Sequence, residues 1–193
     1  MIISKKAGTP GAPPAAGKRY RFGLFLRNRE GATAIEFAVL ALPFCLLVFA
    51  ILESCISFAA QQLLMNATDE VARQLRTGQL KEAAATEAEV HSRICGKLEI
   101  LVAKDCPGLE VDLRSFTTFE QAALIRTKFA ANGDIDTSDF VVDPGPSLSR
   151  NMLRVYYRWP VITDFMRRYM SNLPDGKTLL FATATWQNEP FDD

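Results

Sequence analysis

The chain reads as an α+β protein: one long N-terminal helix, apolar enough to cross a membrane, running on into a small domain with an antiparallel sheet. Three observations predict this. Ala38 to Leu52 carries no charged residue, and Ile35 to Ala60 carries only Glu36 and Glu53. Apolar residues then keep a spacing of three and four beyond that stretch, at Leu64, Ala67, Val71 and Leu75. Finally, short segments of alternating or β-branched character follow, separated by Gly, Pro, Asp and Ser.

Residues 7–16, AGTPGAPPAA, have a Gly/Pro/Ala-rich composition that predicts disorder. The basic, aromatic-containing KRYRFGLFLRNREG after them suits either a membrane surface or a solvated linker. The helix is expected to begin near Ala32, and about 20 apolar residues suffice to cross the hydrocarbon core. Pro43 is tolerated there as a kink. With Gly78 as its stop, a helix from Ala32 to Thr77 measures about 69 Å at about 1.5 Å per residue. Thr86 and Glu89 form a capping box for a second helix through about Val102. LEVDLRSF (109–116) alternates as a half-buried strand, FEQAALIRTKF (119–129) is read as helical, and residues 131–149 as a loop. NMLRVYYRWP (151–160) is a strand, TDFMRRYMSNL (163–173) a short helix or connector, and KTLLFATATWQNEPF (177–191) the last strand. The organisation is thus a basic leader (1–31), a transmembrane helix (32–60) and a small α+β domain (61–193).

A formal net charge of zero hides an asymmetry. Lys5, Lys6, Lys18, Arg19, Arg21, Arg27 and Arg29 against Glu30 give residues 1–31 a charge of +6, leaving −6 for the rest. A basic flank beside an apolar span is retained on the cytoplasmic side, which places the later residues outside, in the periplasm. Nucleic-acid binding, the other use of a basic arm, is not expected. The long leader and the length of the apolar run favour a retained span over a cleaved secretory signal, although SFAAQQ (57–62) imitates a cleavage site.

Cys45 and Cys55 lie in the span, ten positions apart and so about 80° apart on a helix at about 100° per residue, too divergent to bridge. Cys95 and Cys106 lie in the outer domain, where an oxidising compartment permits a disulfide. Two buried thiols are the alternative, and a Cα separation above about 7 Å excludes the bond.

No chemistry of catalysis is expected. His91 has only Glu87 and Cys95 at helical spacing and no second histidine, so a metal site is not predicted. DIDTSD (134–139) collects three carboxylates without the calcium-loop spacing. There is no CxxC, HExxH, GxSxG or phosphate loop. No cofactor is expected.

Glu36 is the exception that carries meaning, since a carboxylate in hydrocarbon is costly unless paired or neutralised. It is the fifth residue after Gly31, in G-A-T-A-I-E-F, with Phe37 beside it. This pattern resembles the processing motif of the TadE/TadG-like pseudopilins of Flp (Tad) type IV pili: a Gly, four small or apolar residues, a Glu, then an aromatic residue, usually Tyr. REGATAIEFAVLALPF as a whole is similar to the TadE-like N-terminal segment, Pro43 included. TATWQNEPF (183–191) is similar to a closing strand in that family, and Cys95 with Cys106 fits its pattern. The chain is too short for the large extra domain of TadG-like relatives.

The resemblance implies a pilin-like fold and a role as a minor pseudopilin in pilus assembly. It implies cleavage between Gly31 and Ala32 by a prepilin peptidase, and an assembly role for Glu36 with Phe37. Glu36 would pair with the freed Ala32 amine of a neighbouring subunit; the alternative leaves it solvated among lipid headgroups. Partners would be the inner membrane, the peptidase, other pilins and the Tad inner-membrane machinery. The competing reading is an unprocessed single-span protein whose outer domain binds a ligand or an envelope partner. Glu53, near the outer interface, is expected to be solvated.

Overall fold

The structure is a computed structural model that describes residues 31–191; the expectations for the basic leader lie outside them. The described residues divide into two units, 31–47 and 48–191. The element order is α1 (Ala32–Arg76), a single 3-10 turn (Glu82–Ala84), α2 (Glu87–Leu98), β1 (Leu109–Phe116), α3 (Phe119–Leu124), β2 (Arg150–Trp159), α4 (Asp164–Met170) and β3 (Thr178–Gln187). This is the expected α+β arrangement: an N-terminal apolar helix, then a small head with a three-stranded antiparallel sheet in the order β1-β2-β3.

Helix α1 is unbroken over 45 residues with Pro43 inside it. None of residues 32–52 is buried. From Glu53 onward a stripe is buried, formed by Glu53, Ser57, Ala60, Leu64, Ala67, Thr68, Val71, Ala72 and Leu75. Its steps of three and four residues make one face of a helix. The helix stops where Gly78 takes a φ of +70°, and a Cβ there would lie 2.7 Å from the Phe191 ring. Gly78 therefore serves both as a left-handed stop and as a close approach.

The stripe and the apolar side of α2 (Val90, Ile94, Cys95, Leu98) cover one face of the sheet. That face presents Leu109, Val111 and Leu113 of β1, Leu153, Val155, Tyr157 and Trp159 of β2, and Leu180, Ala182 and Trp186 of β3. The register sets Val111 opposite Val155 and Leu113 opposite Leu153, so the period of two keeps these side chains together. Thr86 caps α2 as expected, its hydroxyl accepting from the Glu89 amide at 3.3 Å.

Two helices end earlier than the sequence predicts, and one strand face is covered where it was expected to be open. Helix α2 ends at Leu98, not near Val102, because the chain turns there towards the Cys95–Cys106 bond. Helix α3 is only six residues long, and Ile125 is already extended at ψ 126°. Phe129 then bridges to Ile135, so the second half of the expected helix is a β-like excursion. The polar side of β1 is also not solvated: the 125–149 segment folds over it, and Asp112 is 0% exposed.

Both sheet edges are occupied. Val141 and Asp143 exchange backbone bonds with Leu113 at 2.7 and 2.8 Å, adding a short parallel bridge to β1. On the other edge the Gln61 amide donates to the Phe181 carbonyl at 2.8 Å and accepts from its N–H at 3.4 Å. Such contacts shorten the stretch of edge open to pairing with other chains.

Candidate functional site

The candidate processing segment is the first turn and a half of α1. Gly31 immediately precedes the helix, and a Cβ built on it meets nothing within 4 Å. Packing among the described residues therefore does not require a glycine there. Ala32 and Glu36 stand four residues apart, which places them on one helix face. Glu36 is exposed and has no hydrogen bond or ion pair among the described residues. Phe37 is 73% exposed, and Ile35, Val39, Leu40, Leu42 and Phe44 around it are exposed too. An apolar surface of this kind, all round a helix, suits lipid or other helices and not water. The 45-residue helix is compatible with a single membrane pass. Cys45 and Cys55 are unbonded and exposed on it.

Glu53 corrects the sequence expectation of a solvated carboxylate. It is buried, and its Oε1 accepts from the amides of Ile162 at 2.5 Å and Thr163 at 3.2 Å. Its Oε2 accepts from the Thr163 hydroxyl. One helix carboxylate thus holds the start of α4, for which Thr163 is itself the N-cap. Sequence gave no signal for this, because the partners lie more than a hundred residues away.

Cys95 and Cys106 form a disulfide with a Cα separation of 5.7 Å, well inside the limit for a bond. It closes the turn from α2 into β1, where Asp105 and Cys106 have φ of 62° and 43° and Gly108 a φ of 88°. The bond takes Cys95 away from any metal set with His91. Among the described residues no three His, Cys, Asp or Glu side chains converge as metal ligands. The carboxylates of 134–139 have separate partners: Asp134 with Arg158 at 2.6 Å, Asp139 with Lys128 at 2.9 Å, and Asp136 with the Ser138 amide at 3.0 Å.

Two buried polar clusters were missed by sequence reasoning. On the far face of the sheet Asp112 accepts from Arg154 Nη2 at 2.6 Å, from Arg114 Nε at 2.8 Å and from the Val141 amide at 3.1 Å. Asp112 stands directly opposite Arg154 in the ladder, the one hint the alternating pattern contains. The Arg154 guanidinium also faces the Phe140 ring at 5.8 Å. At the C-terminus Asn188 accepts from Trp186 Nε1 at 2.8 Å and from Asn151 at 2.9 Å, and donates to the Gly145 and Pro146 carbonyls. These clusters fasten loops to the sheet.

Helix and head together define a class: a chain with one membrane-compatible N-terminal helix and a small disulfide-closed α+β head. Within it, residues 31–73 match the family model described as TadE-like protein. The match opens on Gly31 and ends within α1, before the head's sheet begins. It is consistent with a TadE-like pseudopilin and suggests a component associated with Tad pilus assembly. No curated protein and no solved structure matches the chain.

Proposed function

We propose that this chain is a minor pseudopilin, a structural and assembly component of an Flp (Tad) type IV pilus. A prepilin peptidase of the inner membrane cuts between Gly31 and Ala32, and the mature chain begins with the helix. The basic leader stays on the cytoplasmic side and the head stands in the periplasm, as the charge asymmetry favours. The role is not catalytic. The partners are the peptidase, other pilins and pseudopilins, and the Tad inner-membrane machinery.

The observation that carries the reading is Glu36, without a partner among the described residues, five residues past Gly31, at the point where the TadE-like match and the helix both begin. Cleavage creates an ammonium at Ala32. Pairing it with Glu36 of a neighbouring chain offsets part of the cost of holding either charge in an apolar place. Phe37 supplies an exposed ring beside that pair.

Mass spectrometry of membrane-extracted protein from cells containing the matching peptidase tests the reading. The expected N-terminus is Ala32, and Gly31→Leu should leave the leader attached. Because Gly31 has open space around it, that variant keeps its fold, and its failure reports the peptidase. Glu36→Gln should be processed normally yet give no pili. A native N-terminus at Met1, or normal pili from Glu36→Gln, overturns the corresponding part.

A further inference from the structure

We propose that α4, with Ile162 ahead of it, is a membrane-surface foot of the head, seated in the interfacial layer of the bilayer that α1 crosses. This rests on the reading of α1 as a membrane span. None of the seven residues of α4 is buried, although it contains two aromatic side chains. Ile162 is 70%, Phe165 54% and Tyr169 72% exposed. Phe165 and Tyr169, four residues apart, lie on one side of the helix, and their rings touch with centroids 5.7 Å apart, while Ile162 stands just ahead of the Thr163 cap.

Helices this short are marginal in water unless something packs on them. Yet α4 is fixed at both ends. Glu53 holds the Ile162 and Thr163 amides, and the Thr178 hydroxyl donates to the Met170 carbonyl at 2.7 Å. The ridge is thus held outward.

The occupant follows from where Glu53 lies on α1. Ala32 to Leu52 is the stretch with no buried residue, and its 21 residues rise about 30 Å, the thickness of a hydrocarbon core. Glu53 therefore marks the boundary on the head's side, and the backbone bonded to it stands at the same depth. Ile56 and Phe58, within the next turn and a half of α1, are exposed as well, so apolar surface continues past that boundary. Aromatic rings favour this interfacial depth. Charge agrees: Asp164 is neutralised by Arg167 at 3.0 Å, while Arg168 forms no ion pair among the described residues and is available to lipid phosphates.

The test uses the full-length chain with Cys45 and Cys55 replaced by alanine and the disulfide kept. Single spin labels are placed at Phe165→Cys, Tyr169→Cys, Leu46→Cys and Glu82→Cys, in vesicles of phosphatidylethanolamine and phosphatidylglycerol. Accessibility is read with oxygen, which enters lipid, and a nickel chelate, which stays in water. Positions 165 and 169 should resemble 46, favouring oxygen, while 82 favours nickel. If 46 favours oxygen but 165 and 169 behave like 82, the foot is wrong and the span stands. If 165 and 169 are shielded from both probes, a protein partner covers the ridge and the lipid assignment falls. If 46 itself favours nickel, the span fails and the foot with it.

Discussion

Glu53 and Asp112 show what a single carboxylate does in this head. Each is buried and each gathers donors from distant chain. Glu53→Ala leaves the Ile162 and Thr163 amides and the Thr163 hydroxyl without their acceptor. These contacts are part-buried, so their loss falls at the lower end of the cost of unsatisfied donors, about 1 kcal/mol, and the unfolding midpoint of the detergent-solubilised protein should fall by a few degrees. An unchanged midpoint would mean that water replaces the carboxylate without loss. Asp112→Ala is expected to cost more, about 3–5 kcal/mol, because Arg154 is left as an unpaired buried cation. Replacing both together, Asp112→Leu with Arg154→Met, should recover most of that loss in denaturant titrations. If the double variant is no more stable than Asp112→Ala, the pair is not where the cost arises. Alternation along β1 marks Asp112 as an outward strand residue, because it tells which face a side chain is on. It does not tell what later covers that face.

At the scale of elements, the 125–149 segment and the Cys95–Cys106 turn depend on cross-links more than on regular structure. Lys128 first, and Arg114 with it, hold the Asp139 carboxyl below its usual range. A carboxylate depressed in the folded state contributes stability that is present above its unfolded value and lost as pH falls through the folded one. Hydrogen exchange of amides 135–141 should therefore be steady between about pH 5 and 8, once intrinsic rates are removed, and quicken only below about pH 4. Quickening already at pH 6 would point to another clamp. Reducing the disulfide, which spans a sequence separation of 11, should lower stability by about 2–3 kcal/mol in the chain-entropy model. A reduced head that melts with the oxidised one would show that the Asp105–Gly108 turn holds without it. Helix α2 and strand β1 were legible from their caps and alternation. The short length of α3 was not, since its second half is drawn off by the Phe129–Ile135 bridge.

For the whole molecule, the expected behaviour is that of an integral protein with one anchored end. Carbonate or urea washing of membranes should leave it in the pellet, and its release by either would contradict a spanning α1. The sequence alone determined the apolar run, the Gly31–Glu36 spacing, the heptad-like stripe that follows, the candidate disulfide and the strand segments. All of these are local or periodic features, which a linear chain displays directly. Only the tertiary structure decided that Glu53 is a buried anchor, that Asp112 faces Arg154 and a covering loop, and that α4 keeps its rings outward. Those facts depend on residues brought together from some thirty to more than a hundred positions apart. Contacts of that kind are set by how the sheet closes against α1, and no spacing along the chain records them.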